Sequence, residues 1–391
     1  ADDYPGDGRV EKVGRTLVEA GHQLFLAART RKRADRHGYV DTRHVTRMAP
    51  LWLLPAKVDV GLMFPAFFSP RWLGLIAEVV TRNHCDLIMI RDLPLAPAGL
   101  AVGAALRKPV VLDMAENYPA ALRAIHEHKE PTLFDHLARS PVAAQVIEDA
   151  VLPRLAHTLV VCEENRERLI QKGVAPDRVS IVGNTPSLEL FRGDPPPREV
   201  QDRFEGDFVL VYVGAVDPFR GLDTMVAALP RIRQTIPNVK LAVIGKGHGA
   251  TEVERLAEER GVRDALDMVG FRPLEELPGL VARGDVCVIP HHRNDHIDTT
   301  LPNKLFDYMA LSRPVLATDA APLARIIEAE ECGLVYRSGD PLSAADRVLE
   351  LHDYERRREM GERGRKAVEE RYNWSLDADT LRQIFASLEH R

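Results

Sequence analysis

Short runs of β-branched and aliphatic residues alternate along the chain with longer stretches in which apolar residues recur at helical spacing. In the first of these stretches, Val10, Val13, Leu17 and Val18 fall on one helical face, which predicts an amphipathic helix. Apolar runs bounded by turn residues then predict strands over residues 23–27, 86–90, 110–113, 158–162 and 179–182.

The clearest boundary in this alternation is the proline-rich stretch over residues 193–198, Gly-Asp-Pro-Pro-Pro-Arg. Strands alternating with helices predict parallel sheets that are covered by helices on both faces. We therefore expect an α/β protein of two Rossmann-like domains facing a central cleft, with residues 1–192 in the first domain and 193–374 in the second. Strands of the second domain are predicted over residues 208–213, 239–244, 266–269, 286–289, 315–318 and 334–336.

The start of the chain departs from this order of elements. It opens Ala-Asp-Asp-Tyr-Pro over residues 1–5 and goes directly into the helical stretch, with no strand before it. We therefore expect the N-terminal domain to lack its first strand.

Composition excludes several classes of protein. Of the 391 residues 45% are apolar and 28% are charged, which is typical of a soluble globular protein rather than a disordered or collagen-like chain. The net charge of −6 argues against nucleic-acid binding. Four distant cysteines without C-x-x-C spacing favour free thiols in a reducing compartment, and no apolar run reaches the length of a membrane span. A cytoplasmic location is expected.

Residues 29–47 form the one strongly basic segment, with seven basic residues against two acidic ones. A solvated loop would explain this charge. Contact with an anionic membrane surface or a phosphate-bearing acceptor is the functional alternative. The stretch 51–72 that follows, with its Trp and Phe residues, supports that alternative, so peripheral contact with the inner face of a membrane stays open.

Glycines and a basic residue mark the ends of two predicted strands in the second domain. Gly214 ends one strand and Arg220 precedes a helix, an arrangement suited to an anion, although a plain turn with an exposed Arg is equally compatible. After the next strand, Gly245-Lys-Gly-His-Gly has the spacing G-x-G-x-G rather than the dinucleotide fingerprint G-x-G-x-x-G. We interpret it as a glycine-rich turn beside a nucleotide or its phosphates.

A third constellation opens the helix predicted over residues 302–310. Pro302 suits the first helical turn and Thr300 is a possible cap. Lys304 and Asp307 share a helix face, where Lys304 with the free N–H groups could bind an anion and Asp307 could accept hydrogen bonds from hydroxyls. An ion pair between them on the surface is the alternative.

Carboxylates at the end of the strand over residues 110–113 are the candidates in the first domain. Asp113 and Glu116, with Asn117 beside them, would reach a ligand at the carboxyl edge of the sheet, or would act as a helix cap and a solvated side chain. His291, His292 and His296 come close together in sequence but lack metal-ligand spacing, so no metal site is predicted.

These motifs, in this order, resemble the family 4 retaining glycosyltransferases, which have the GT-B fold. The resemblance rests on Gly214 with Arg220-Gly221, Gly245-Lys-Gly247, Gly270-Phe271, the run Pro-Asn-Lys-Leu-Phe-Asp over residues 302–307 and Cys332-Gly333. It is looser in the first half, at residues 7–12, 20–22, 113–119 and 183–184. The segment 371–375 resembles the one that crosses back, so residues 375–391 are expected to return to the first domain.

The resemblance implies a role for each matching residue. Arg220 would hold the donor diphosphate, and Lys304 would replace the second basic residue that the family has at the position of Ala215. Of two family Glu residues, the first is Thr299 here and the second, the ribose ligand, is Asp307. Catalysis is thus assigned to Arg220, Lys304 and Glu116; donor binding to Gly214, Arg220, Gly245, Gly270, Phe271, Thr299, Thr300, Pro302, Asn303, Lys304, Leu305 and Asp307; and acceptor binding to Gly6, Gly8, Asp113, Glu116 and Asn117.

The implied reaction is metal-independent, retaining transfer from a UDP- or GDP-sugar, without a cofactor. The acceptor would be a cell-envelope or polysaccharide glycan, a lipid-linked sugar or a small molecule. A nucleotide-sugar epimerase of similar fold, and a degenerate protein that binds a nucleotide or a partner without turnover, are the alternatives.

Overall fold

The computed structural model describes residues 7–29, 35–48, 67, 69–128, 139–191 and 203–389. The chain divides into two compact units, one comprising Ala1–Asn184 with Ser375–Arg391 and the other Thr185–Trp374. The division after Asn184 comes earlier than the boundary predicted after residue 192, because the residues from Thr185 onward pack with the second unit.

The first unit contains seven strands, six helices and the C-terminal helix in the described ranges. Its strands are β1 (Phe25–Arg29), β2 (His37–Val40), β3 (Arg43–Met48), β4 (Ile88–Arg91), β5 (Val110–Asp113), β6 (His157–Val160) and β7 (Val179–Ile181). Its helices are α1 (Gly8–Glu19), α2 (Pro70–Arg82), α3 (Ala96–Leu106), α4 (Tyr118–His128), α5 (Pro141–Val151) and α6 (Glu163–Gln171).

The second unit alternates strands and helices throughout. Its strands are β8 (Phe208–Val213), β9 (Val239–Ile244), β10 (Leu266–Gly270), β11 (Val286–Ile289), β12 (Val315–Thr318) and β13 (Gly333–Tyr336). Its helices are α7 (Leu222–Arg233), α8 (Ala250–Glu259), α9 (Leu277–Val281), α10 (Lys304–Ala310), α11 (Ala321–Ala329), α12 (Pro341–Glu350) and α13 (Tyr354–Glu370), and α14 (Trp374–Glu389) follows.

The second unit has one parallel sheet of six strands in the order β10-β9-β8-β11-β12-β13. Helices bury apolar side chains on both faces of it, so strand β8 is apolar throughout and β9 is apolar apart from Lys240, as is typical of parallel strands. Strand β9 lies on one side of β8 and β11 lies on the other, so the order of the strands reverses at β8. Sheets of this kind bind ligands at the carboxyl ends of the strands beside such a reversal.

Two sheets build the first unit. Strands β4 to β7 are parallel and in sequence order, whereas β1, β3 and β2 form a separate three-stranded sheet in which β2 is antiparallel to β3. The C-terminal helix α14 belongs to this unit, as the resemblance predicts. Its Asp377 carboxylate accepts a hydrogen bond of 2.7 Å from the backbone N–H of Gly183.

The basic segment over residues 29–47 is not a solvated loop where the structure describes it. Residues 35–48 form the β2–β3 hairpin, and Arg43 is buried between Glu11 and Asp41, each at 2.6 Å. Arg36 pairs with Glu78 of helix α2. The unit itself therefore neutralises Arg36 and Arg43, two of the basic residues that suggested contact with an anionic surface.

The apolar stretch predicted to support membrane contact lies mostly outside the described residues, at 51–66 and 68. The described Phe67 and Trp72 are buried in the core of the first unit. No helix of the described chain is both long and apolar enough to cross a bilayer. The four cysteines are free thiols, with Cys162, Cys287 and Cys332 buried.

Candidate active site

Gly221 allows the loop after β8 to lie directly on the segment after β11. Its φ is 71°, and a Cβ on it would lie 1.7 Å from the carbonyl oxygen of Pro290. The backbone N–H of His292 donates a 3.1 Å hydrogen bond to the carbonyl oxygen of Phe219 in the same loop. Only glycine permits this approach, which fixes Arg220 beside the residues that follow β11.

The glycine-rich turn after β9 packs against the same loop. A Cβ on Gly245 would lie 1.8 Å from the oxygen of Gly214, and one on Gly247 would lie 2.2 Å from the oxygen of Val216. The N–H of Gly249 donates a 2.8 Å hydrogen bond to that Val216 oxygen. The close contact of the two turns explains why these positions are glycines. Their spacing also differs from that of a dinucleotide fingerprint.

Two cations converge on one buried imidazole at the carboxyl ends of β8 and β11. The Nε2 atom of His291 lies 3.3 Å from an Arg220 guanidinium nitrogen and 3.5 Å from Lys304 Nζ. Lys304 Nζ also lies 4.1 Å from the centre of the Tyr212 ring, and a Cβ on Gly214 would lie 2.8 Å from it. The structure thus brings together Arg220, Lys304 and Gly214, three of the predicted donor-site residues, and places beside them His291, which was not among the predicted site residues.

The cluster carries an unbalanced positive charge. Burial, and then the charges of Lys304 and Arg220, hold the pKa of His291 well below its ordinary range. Burial, and then Arg220, likewise lower the pKa of Lys304, while Asp307 acts in the opposite direction. In the described part of the chain neither Arg220 nor Lys304 forms an ion pair with a carboxylate, and Arg220 Nε and His291 Nδ1 are buried without a hydrogen-bond partner. Such a site suits an anion with several oxygens.

Helix α10 fixes Lys304 through its buried face. The Tyr308 hydroxyl accepts a 2.9 Å hydrogen bond from the N–H of Val213 at the end of β8, and Leu305 and Phe306 are buried. Lys304 therefore faces the loop of Arg220, and the alternative of a surface ion pair with Asp307 does not describe it. Asp307 lies one turn further along the same helix.

The segment before α10 differs from the predicted cap. Asn303, not Thr300, is the N-cap residue, and Thr300 is extended. The Thr299 hydroxyl donates a 2.6 Å hydrogen bond to the carbonyl oxygen of Asp295, which stabilises the short turn over Ile297–Thr299. The carbonyl oxygen of Pro302 accepts from Leu305 at 3.1 Å.

Beyond β10 the structure exposes an aromatic side chain next to the glycine-rich turn. The O atom of Gly270 accepts a 2.9 Å hydrogen bond from the N–H of Gly245, and 67% of Phe271 is exposed. Lys246 Nζ lies 5.0 Å from the centre of the Phe271 ring. This face could stack on a planar ring.

In the first unit, Asp113 serves a structural purpose. Its carboxylate receives three hydrogen bonds of 2.7–2.9 Å from Arg9, which also donates to the carbonyl oxygens of Val182 and Gly183. Arg9 is 3% and Asp113 2% exposed, so the pair joins α1 to the ends of β5 and β7. Arg9 was not predicted as a buried partner of Asp113, although it lies on the same helical face as Val13 and Leu17.

The remaining candidates of the first unit have mixed environments. Glu116 is exposed, whereas Asn117 is buried and its side-chain oxygen accepts a 3.3 Å bond from Ala120 N–H at the start of α4. Gly8 is the exposed first residue of α1, and Gly6 lies outside the described residues.

Asp92, directly after β4, was not predicted as a site residue. Its φ is 62°, which is rare for a residue other than glycine. Burial raises its pKa to about 7; the charges of Asp113 and Glu116 act in the same direction, against Arg91. No sequence pattern marks this environment, because it depends on residues that follow a different strand.

A metal centre is not formed by the three histidines. His292 pairs with Asp223 at 2.8 Å while His291 faces the cations. Within the described ranges no three His, Cys, Asp or Glu side chains are arranged to hold a metal ion.

Comparison with known proteins gives both halves of the chain the same assignment. Residues 195–367 match the family "Glycosyl transferases group 1", and residues 8–185 match "Glycosyl transferase 4-like domain". Alpha-D-kanosaminyltransferase of Streptomyces kanamyceticus is 24% identical over 73% of this chain and 75% of its own length.

Two further proteins are similar. The GDP-mannose-dependent alpha-(1-6)-phosphatidylinositol monomannoside mannosyltransferase of Mycobacterium tuberculosis is 30% identical over 49% of this chain, which is about half (52%) of its own length. Sucrose-phosphate synthase from Thermosynechococcus elongatus has the same fold, with a TM-score of 0.76 at 20% identity over 98% of this chain and 93% of its own.

Proposed function

Because the chain belongs to the family 4, or group 1, glycosyltransferases with the GT-B fold, we propose that it transfers a sugar from a UDP- or GDP-sugar with retention of configuration and without a metal. The observation that carries this proposal is the pair of cations, Arg220 and Lys304, at the carboxyl ends of β8 and β11. A nucleoside diphosphate is the leaving group that such a pair suits.

In the proposed reaction, positive charge is needed beside the leaving group. As the bond between sugar and phosphate breaks, negative charge develops on the diphosphate and the sugar acquires oxocarbenium character. Preorganised donors aimed at that charge are often the largest catalytic contribution. Arg220 and Lys304 supply fixed positive charge without a metal ion, and the unpartnered Nε–H of Arg220 is available to a phosphate oxygen.

The nucleoside would lie along the neighbouring strand ends. Asp307 would accept hydrogen bonds from ribose hydroxyls, and the exposed Phe271 with Gly270 would pack against the base. Thr299 stands where a carboxylate would contact the donor sugar, and its hydroxyl is already bonded to Asp295. The donor sugar would therefore be held by Thr300, Pro302, Asn303 and Leu305, mainly through backbone groups.

We assign acceptor binding to the first unit. The exposed Glu116 is the residue of this unit that we propose to contact the acceptor hydroxyl, since Asp113 is occupied by Arg9. A glycan, a lipid-linked sugar or a small molecule would each offer such a hydroxyl. The relatives support this range by their names, one a kanosaminyltransferase and one a phosphatidylinositol mannoside mannosyltransferase. Location in the cytoplasm is part of the proposal, in keeping with the free thiols.

The test begins with ligand binding by the purified chain, measured as thermal stabilisation by UDP, GDP, ADP and NAD at equal concentration. Stabilisation by UDP or GDP alone, abolished in Arg220→Ala, is the expected result. Stabilisation by NAD alone would refute the proposal. The preferred nucleoside diphosphate then selects the donors for turnover, and the anomeric configuration of the product, read by NMR, tests retention.

The same assay separates the two alternatives. An epimerase would convert the donor without an acceptor, and a degenerate protein would bind the nucleotide without turnover. The names of the relatives, which are all glycosyltransferases among those compared, do not favour either alternative.

A further inference from the structure

His291 occupies the centre of the cation cluster, yet the proposed reaction assigns it no role. It is fully buried directly after β11, and its Nε2 atom lies within 3.5 Å of both Arg220 and Lys304. Its neighbour His292 points elsewhere, to Asp223. A buried polar ring between two cations is unusual, because apolar side chains would fill the same space without a polar atom to satisfy.

The partners of His291 determine its tautomer. Arginine and protonated lysine only donate hydrogen bonds, so an Nε2 atom that faces both of them must carry the lone pair. The proton of the neutral ring then resides on Nδ1, which is buried without a partner in the described residues. A protonated ring would place a third positive charge beside the other two.

We propose that His291 is a positioning residue whose Nε2 accepts hydrogen bonds from Arg220 and Lys304 and so holds both cations where the donor diphosphate binds. This inference rests on the proposed function, since it assigns a diphosphate to that place. Without an acceptor between them, the two cations would repel each other and turn away from a common point.

Charged and polar groups surround both partners of this contact. Lys304 is surrounded by the Arg220 charge, the His291 ring and the Tyr212 ring, with Asp307 on its own helix. His291 in turn faces Lys304, Arg220, His296 and His292, the last paired with Asp223. An arriving diphosphate adds negative charge that favours the protonated form of Lys304, which is the form that donates to Nε2.

The experiment compares His291→Gln with His291→Leu in the full chain. The glutamine side-chain oxygen can accept a hydrogen bond near the position of Nε2, whereas leucine has no acceptor. His352→Gln, an exposed histidine of the second unit, is the matched control. Affinity for UDP and GDP is measured by titration calorimetry, and kcat and KM are measured with the preferred donor.

We expect His291→Leu to weaken binding of the preferred nucleoside diphosphate about 10-fold to 100-fold, as loss of a hydrogen bond to a charged group does. His291→Gln should recover most of this loss, and the control should match the wild type.

Several results would overturn the inference. Equal binding by His291→Leu and the wild type would do so, as would equal losses in the Leu and Gln variants, which would indicate a purely structural residue. If His291→Leu fails to fold by circular dichroism, the Gln variant decides, and its affinity and kcat should stay close to those of the wild type. If Arg220→Ala and Lys304→Met also leave binding unchanged, the proposed donor site itself is wrong; if only they impair it, the role of His291 alone is refuted.

Discussion

Substitution of Lys304 by methionine should change turnover and stability in opposite directions. Methionine has nearly the same length, so packing against Tyr212 is largely kept, whereas the charge and the hydrogen-bond donor to His291 Nε2 are lost. In the free protein the Lys304 charge is unfavourable, because burial and Arg220 both lower its pKa. In the proposed transition state the same charge lies beside the leaving diphosphate.

The sizes of the competing effects give the expected result. Loss of one preorganised donor to a developing oxyanion lowers kcat by about 100-fold to 1000-fold. For stability, the lost contact between the ammonium and the Tyr212 ring costs about 1–2 kcal/mol, of which a sulfur–aromatic contact restores about 0.3–1.5 kcal/mol. Each unit by which the lysine pKa is lowered contributes about 1.4 kcal/mol in the other direction. We therefore expect the variant to be more stable at pH 7 and to have a higher Tm than the wild type.

The pH dependence of this gain tests its cause. The pKa of Lys304 is lower in the folded than in the unfolded protein, so the unfolded chain binds more protons between these two values. Wild-type stability thus rises with pH through this window up to the ordinary lysine pKa of about 10.4, and the advantage of the variant shrinks. Denaturant unfolding of both proteins at several pH values measures the difference in their free energies of unfolding. Other titrating groups contribute equally to both proteins and cancel.

Lys366 on α13 provides the control, because its side chain is 73% exposed and pairs with Glu370 at 3.9 Å, on the surface. Lys366→Met should leave kcat and Tm unchanged. Turnover of Lys304→Met within a few-fold of the wild type would exclude the assigned role in the reaction. A lower Tm at every pH would show that the Lys304 charge is compensated in the free protein, and the expected gain in stability would then be wrong.

Four further results are expected. Arg9→Met should lower the free energy of unfolding by about 3–5 kcal/mol in denaturant titrations, because it leaves the buried Asp113 carboxylate without its partner. Gly221→Ala should reduce affinity for the nucleoside diphosphate at least ~10-fold in calorimetry, since its Cβ would collide with the oxygen of Pro290 and displace the loop. Asp92→Asn should stabilise the protein at pH 8 but not at pH 4, because the raised pKa of about 7 means that folding is penalised once the carboxyl ionises. EDTA should leave turnover within about 2-fold of the untreated enzyme, as two fixed cations fulfil the electrostatic role of a metal.

The strands of the second unit could be predicted almost residue by residue. Observed and predicted bounds coincide for β8, β9, β11 and β12, because parallel strands covered on both faces must be apolar along their whole length. Gly and Pro residues mark the turns between them.

The β2–β3 hairpin could not be predicted for the opposite reason. Strand β3 has the sequence Arg-His-Val-Thr-Arg-Met, and its first residue is buried only because Glu11 and Asp41 neutralise it. The partner Glu11 lies on α1, outside any local window of sequence. The basic residues of this segment therefore suggested a surface that binds anions. In the structure, Arg43 is paired with carboxylates of the same unit.

The candidate site lies between these cases. Arg220 and Lys304 were recognised through ordered motifs, but their meeting at His291 depends on three separate segments: the loop after β8, the end of β11 and the first turn of α10. His291 itself was noted only as one of three histidines that lack the spacing of metal ligands. Its significance comes from its burial and from the two atoms that it faces, which spacing alone does not reveal.

Cations that are paired elsewhere in the described chain contrast with this cluster. Arg9 is paired with Asp113, Arg168 with the fully buried Glu148 and Arg43 with Glu11. Arg220 and Lys304 instead meet a neutral ring, an arrangement that lowers stability relative to a paired one. In the proposed function these two cations are paired by an external anion instead, and the energy lost in the free protein would be recovered when the diphosphate binds.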